Sequence, residues 1–264
     1  MTELQIGRIR KWWELYVRRF DAGDADLRRN MRLKESHTHR VCREALSIVT
    51  SLGLPPEDLR IAEAVVLLHD VGRFVQYARY RTFADGKSEN HALLGLKILR
   101  KERVLRHLPV HLQSIIRRAI RYHNRAEVPP VKDRRILFFA RVLRDADKLD
   151  IWRTVVAYYN TPPGRRNHAI TIGLPDVEGV TAGVMGDLRA GRIVARQNVK
   201  NLNDFKLLQL GWVFDTNFLP TLQAVRRRGY LEKIRDALPE NANRDEAYAI
   251  VREYVDRCLD RSGG

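Results

Sequence analysis

The chain has 264 residues, of which 44% are hydrophobic and 30% charged, the balance of a globular protein and not of a disordered one. With 48 Lys and Arg against 32 Asp and Glu it carries a net charge of +16, which favours an anionic partner: a phosphorylated small molecule, nucleic acid or an acidic membrane surface. No apolar run approaches the ~20 residues of a membrane helix, and the segment around Trp12 and Trp13 lacks an apolar signal core. The expectation is a cytoplasmic protein with no membrane partner.

Almost every periodic segment reads as helix. Ile9, Trp12, Trp13, Tyr16 and Phe20 recur at three- and four-residue steps and form one apolar face. Val41, Ala45, Ile48, Val49 and Leu52 mark a second helix, stopped by Gly53 and the prolines at 55 and 56. Leu59 to Leu68 is nearly all apolar after Ile61, the pattern of a helix buried within a bundle. Further helices follow through Leu94 and Ile98, through Ile115 and Ile120, and from Ile136 to Leu149, the last with Phe138, Phe139, Val142 and Leu143 inside.

After Tyr159 the character changes. The turn at 161–164 leads into a stretch mixing Gly, polar and β-branched residues. Ala169–Ile172 and Arg192–Ala195 have the composition of short strands but are not counted as such. Helical patterns return at 205–210, 218–225 and 247–259. The economical reading is one all-α domain over 1–264: a core of about 30–155 and a partly irregular, mostly helical extension of about 160–264.

The charge is spread over short runs such as Arg117-Arg118 and Arg226-Arg227-Arg228. These read as solvated helix faces without the interleaved aromatics of a nucleic-acid stacking surface. Cys42 and Cys258 lack the spacing of a thiolate metal site and read as small buried hydrophobes. Metal chemistry here must therefore use His and carboxylates.

Those residues gather at helix ends. His69 and Asp70 close the apolar helix, and Gly72 follows as a candidate helix stop. Neighbouring residues differ by ~100° on a regular helix, so both side chains converge on one point only where the chain turns. By itself, Asp70 also reads as a helix-end carboxylate paired with Arg73. His37 opens the Val41 helix, His91 opens the next after Asn90, and His123 ends the helix through Ile120. Asp147 sits in an acidic stretch, Arg144-Asp-Ala-Asp-Lys-Leu-Asp150, at the tail of an apolar helix. Negative charge opposes the helix dipole there, and a cation would offset it. His39 lies ~200° round a helix from His37. It is read as an ordinary surface histidine, as are His107, His111 and His168.

The ordered set His37, His69-Asp70 and Asp147 resembles the HD-domain superfamily of metal-dependent phosphohydrolases. The contexts His37-Thr-His-Arg-Val41, Leu67-Leu-His-Asp-Val-Gly72 and Asp145-Ala-Asp-Lys-Leu-Asp150 carry the resemblance. The stretch from Gly72 through Tyr77, Thr82-Phe83, Lys87-Ser88 and His91 is similar to a bacterial subgroup of HD-domain proteins. The resemblance covers roughly 30–155 and implies an all-α helical bundle. It implies that His37, His69, Asp70 and Asp147 bind a divalent metal, Asp147 being chosen over Asp145 by the family's Asp-Lys pattern. It also implies a second metal or catalytic role for His91 and His123. One or two ions of Mn, Fe, Co, Ni, Zn or Mg suit such ligands.

The implied reaction is hydrolysis of a phosphate ester or anhydride of a nucleotide or other small phosphorylated molecule by a metal-activated water. Arg73 and Lys148 are the expected phosphate-binding cations. Gln76, Tyr77, Arg81 and Thr82 are read as a loop over the substrate. Two alternatives stay open: a metal-dependent nuclease, with nucleic acid as partner, and a non-catalytic nucleotide-binding regulatory module.

Overall fold

A computed structural model of the chain describes residues 1–261. The fold is all-α, and no strand occurs among the described residues. The helices are α1 (Glu3–Arg18), α2 (Ala25–Ser51), α3 (Pro56–His69), α4 (Val71–Tyr80), α5 (His91–Lys101), α6 (Val110–His123), α7 (Arg134–Tyr159), α8 (Ala182–Arg189), α9 (Leu202–Gly211), α10 (Leu219–Arg228), α11 (Tyr230–Asp236) and α12 (Ala242–Asp260). No helix is long and apolar enough to cross a membrane. Two compact units divide the chain, 1–150 and 151–264, with the boundary inside α7.

The first unit is organised around α3. Its residues Ile61, Ala62 and Ala64 to Leu68 are all buried, as a helix apolar on every side requires. It packs against α1, α2 and α6, while α4 packs on α5 and α5 on α6. Local chemistry sets the helix starts. Thr2 and Gln5 form a reciprocal capping box on α1, and Asp24 and Asn90 accept backbone N–H bonds at the starts of α2 and α5. Proline opens α3, where its missing N–H costs nothing.

The break between α3 and α4 is the structural event that matters most for the site. It falls on Asp70 itself, which leaves helical geometry at φ −107° and ψ 13°. The Tyr16 hydroxyl donates to the Val71 carbonyl at 2.8 Å and braces the bend. Gly72 is therefore not the helix stop anticipated from the sequence, because it lies in the first turn of α4. Its function is close approach. A Cβ there would stand 2.1 Å from the His91 carbonyl oxygen and 2.7 Å from the Gly95 nitrogen, so only glycine lets α4 seat on the first turns of α5.

The second unit contains the segments with strand-like composition. Ala169–Ile172 forms most of a short 3₁₀ turn and the C-terminal part of 192–195 leads into another. Its core includes Trp152, Leu188, Leu207, Val225, Ile234 and Val251. Buried Asp204 is satisfied by the backbone N–H groups of Thr181 and Lys200 and by the Thr181 hydroxyl. Cys42 is buried and Cys258 half-buried.

Candidate metal centre

Four histidines and two aspartates from six helix ends or faces meet inside the first unit. Three groups have ligand atoms within 4.8 Å of one another: His37, His69 and Asp70; His69, His123 and Asp147; Asp70, His91 and His123. The groups share members and so form one continuous cluster. All six residues named in the sequence as metal or catalytic candidates belong to it. Asp145 is buried and belongs to none of these groups.

Each imidazole is held by its Nδ1, leaving Nε2 directed into the cluster. His37 Nδ1 donates to Asp150 Oδ2 at 2.7 Å, and His91 Nδ1 lies 2.9 Å from both oxygens of Asp85. His69 Nδ1 donates to the Val66 carbonyl at 2.7 Å and His123 Nδ1 to the Ile120 carbonyl at 2.6 Å. Carboxylate and carbonyl oxygens only accept, so they fix the Nδ1–H tautomer and leave Nε2 as a lone pair. Such outer partners are what orient and strengthen metal-binding histidines.

Two consequences follow inside the cluster. The Nε2 atoms of His37 and His69 are buried without a hydrogen-bond partner. The Nε2 atoms of His91 and His123 face each other at 3.0 Å. Moving a proton to either would turn its Nδ1 into an acceptor facing an acceptor, so neither neutral tautomer relieves the contact.

Asp70 faces two ways. Its Oδ2 lies 3.6 Å from the Nε2 atoms of both His37 and His69, and its Oδ1 lies 3.4 Å from His91 Nε2. Asp147 Oδ1 approaches His37 Nε2 at 3.2 Å. Burial alone would raise the Asp70 pKa, but Lys34, His69 and Arg73 outweigh it and hold the carboxyl well below the usual carboxylate range. Asp147 is likewise held low, by His37 and His69 against the cost of burial. Burial depresses the pKa values of His69, His91 and His123, that of His123 to about 3. Burial and Lys34 also act to lower His37, yet Asp147 and Asp150 prevail and leave it raised.

The other anticipated residues fall into different settings. Arg73 reaches the cluster, with its buried Nε 3.6 Å from Asp70 Oδ1 and without a hydrogen-bond partner. Its Nη1 is committed to Gln76 Oε1, the Phe83 carbonyl and Asp85 Oδ1. Lys148 follows Asp147 on α7 and is buried. The loop reading of 76–82 needs correction in part: Gln76 and Tyr77 belong to α4, which runs to Tyr80 and buries Phe74, Gln76 and Tyr77, while Arg81 and Thr82 follow its end. Gln76 is fully buried and donates to Asp85, Ser88 and the Glu89 carbonyl, while Tyr77 bonds Asn30 and Asp26. Arg81 ends α4 in left-handed geometry and pairs with Asp24, and the Thr82 hydroxyl accepts from the Ala84 N–H. Gln76 and Tyr77 brace the segment from within, and Arg81 ties its end to Asp24 at the surface.

Several residues at the site escaped sequence reasoning. Lys34 places Nζ 2.8 Å from Asp70 Oδ2. Its only sequence signal is its position one turn before His37. Asp85 gathers His91, Arg73, Gln76 and Asn124 and carries no recognisable motif. Asp150 pairs with Arg40 and also supports His37. Arg144 donates to the carbonyls of Tyr122, His123, Arg125 and Ala126, placing a cation where the dipole of α6 ends beside His123.

A buried cluster of imidazoles and carboxylates on an all-α frame is a donor set that could hold a metal ion. Residues 35–152 match the family model of the HD domain, and this segment resembles the HD-domain superfamily of metal-dependent phosphohydrolases. No curated protein and no solved structure matches the chain.

Proposed function

We propose that the chain is a metal-dependent phosphohydrolase acting on a phosphate ester or anhydride of a nucleotide or other small phosphorylated molecule. The observation that carries this reading is the opposed pair of Nε2 lone pairs on His91 and His123, both fixed by their Nδ1 partners. A cation between imidazoles and carboxylates removes that repulsion and the two orphaned Nε2 atoms together. Burial, which drives the His123 pKa down to about 3, argues against a proton in that role.

His37, His69, Asp70 and Asp147 would hold one ion. His91 and His123, together with Asp70, would hold a second. The donor set of imidazole nitrogens and carboxylate oxygens suits Mn, Fe, Co, Ni, Zn or Mg. A divalent ion in such a setting supplies a Lewis acid toward a phosphoryl oxygen and a water acidic near neutral pH.

The chain's own residues supply the rest. Asp150 and Asp85 keep His37 and His91 in their metal-binding tautomers through the cycle. The free Nε–H of Arg73 offers a directional donor beside Asp70, and Lys148 a point charge, for phosphate oxygens. The net charge of +16 favours any polyanion, which makes metal-dependent nuclease activity the second reading. Salt-sensitive, metal-dependent cleavage of oligonucleotides in preference to mononucleotides would select it. A non-catalytic module needs no such complete set of directed donors.

The test is metal analysis of the purified protein, followed by a screen of phosphorylated compounds with Mn²⁺, Mg²⁺, Co²⁺ and Ni²⁺. Asp70→Ala is expected to abolish both metal content and phosphate release while circular dichroism stays helical. Full metal occupancy and unchanged turnover in that variant would refute the assignment.

A further inference from the structure

Lys34 is the least expected charge at the centre. It lies on α2, three residues before His37, so the two side chains share one helix face. Its Nζ approaches Asp70 Oδ2 at 2.8 Å, the same oxygen that faces the Nε2 atoms of His37 and His69. The ammonium thus sits on the oxygen that a metal ion in this group would take. On its other flank lies the Phe83 ring, with Nζ 5.3 Å from the ring centroid. The peptide from Phe83 to Asp85 therefore braces both cations of the site, touching Lys34 with a ring and Arg73 with a carbonyl and a carboxylate.

Lys34 and Arg73 differ in what they have left to offer. Arg73 Nη1 is spent on three acceptors. Among the described residues Lys34 has one ion-pair partner, Asp70, and an ammonium carries three donors on a flexible four-carbon stem. Its side chain is 16% exposed against 4% for Asp70, so it stands on the solvent side of that carboxylate. A divalent ion bound at Asp70 Oδ2 would repel the ammonium at this range. The charge that can then hold Lys34 near the centre is an anion brought from solution.

We propose that Lys34 is a substrate-binding residue: it neutralises Asp70 before the metal arrives, and in the loaded enzyme it turns to a phosphoryl oxygen of the substrate. This inference rests on the phosphohydrolase reading above. It assigns two effects of opposite sign to one side chain, competition with the metal and attraction of phosphate. A purely structural lysine would not produce that pair.

The experiment uses Lys34→Met and Lys34→Arg in the full chain, with helicity and melting checked first by circular dichroism. Mn²⁺ is titrated into the metal-free proteins by calorimetry, and orthophosphate into the Mn²⁺-loaded ones. Lys34→Met is expected to bind Mn²⁺ several-fold more tightly than wild type and orthophosphate about tenfold or more weakly. Lys34→Arg, which keeps the charge, is expected to recover most of the phosphate affinity. Weaker Mn²⁺ binding by Lys34→Met, or unchanged orthophosphate affinity, overturns the proposal while leaving the hydrolase reading standing. A wild-type chain that takes up neither Mn²⁺ nor any other divalent ion overturns both.

Discussion

Replacing Gly72 with alanine adds one methyl group at the seam between the helix that follows Asp70 and the helix that opens with His91. That methyl would meet the His91 carbonyl oxygen at 2.1 Å and the Gly95 nitrogen at 2.7 Å, where ordinary contact begins near 3.4 Å. Both obstacles are backbone, so no side-chain rotation relieves them. The helices α4 and α5 must separate by about 1.3 Å. Overpacking of this kind costs about 3 kcal/mol, which lowers the melting transition of the unit by roughly 6–12 °C. The displacement also falls on the residue pair that the second metal group requires, since His91 Nε2 lies 3.4 Å from Asp70 Oδ1. A shift on the order of 1 Å at a ligand should weaken metal binding about tenfold or more, comparable to losing an outer-shell partner.

The assay is thermal unfolding of the metal-free protein by circular dichroism, paired with calorimetric titration of Mn²⁺. Gly7→Ala is the control. It is also helical, but its added methyl meets nothing within 4 Å, so it should gain up to about 1 kcal/mol from helix propensity. If Gly72→Ala melts with wild type and binds Mn²⁺ equally well, the close-approach argument is wrong.

Other outcomes follow from the same geometry. Asp85→Asn keeps the shape at His91 Nδ1 but no longer demands a proton there. It should weaken binding of the second ion about 10- to 100-fold, leaving the first nearly unchanged, as read by stoichiometry in Mn²⁺ titrations. Acid should destabilise the metal-free protein. His69, His91 and His123 have folded pKa values below their unfolded 6.5, so the unfolded chain binds more protons as pH falls, and their contribution is lost from about 6.5 down toward 3, the value for His123. His37, raised on folding, gains its extra proton above 6.5, so it adds a constant stabilisation below that pH and no slope. The slope below 6.5 from the three depressed histidines is then at most about 4.1 kcal/mol per pH unit. Urea denaturation between pH 6.5 and 4 measures it, and a midpoint that rises on acidification would contradict the burial of these imidazoles.

Much of this site was legible before any coordinate. His69-Asp70 stood at the end of an apolar segment, and such a segment can only be a buried helix, so its terminus had to lie inside the protein. His37, His91, His123 and Asp147 each marked a helix end or face, and the six do meet. What misled was the region after Asp70. Glycine two residues on resembled a stop, although in a buried setting its small size serves packing as readily as its backbone freedom. The polar Gln76 and Arg81 looked like loop residues over a substrate, although Gln76 is a fully buried brace.

The sequence by itself determined the helical class and the buried central helix, because periodicity is a local property of the chain, and its resemblance to the HD-domain superfamily singled out the six clustered residues. Tertiary structure alone decided which atoms face which. The pairing of His91 with Asp85, of His37 with Asp150, and of Lys34 with Asp70 joins side chains across 6, 113 and 36 positions. Only the packing of separate helices brings the last two pairs together, and only the fold of the turn before α5 brings the first. That packing also turned four imidazoles so that each keeps Nδ1 for an oxygen and presents Nε2 to a common centre. Hydrogen-bond direction of this kind is a property of three-dimensional arrangement, and no spacing along the chain encodes it.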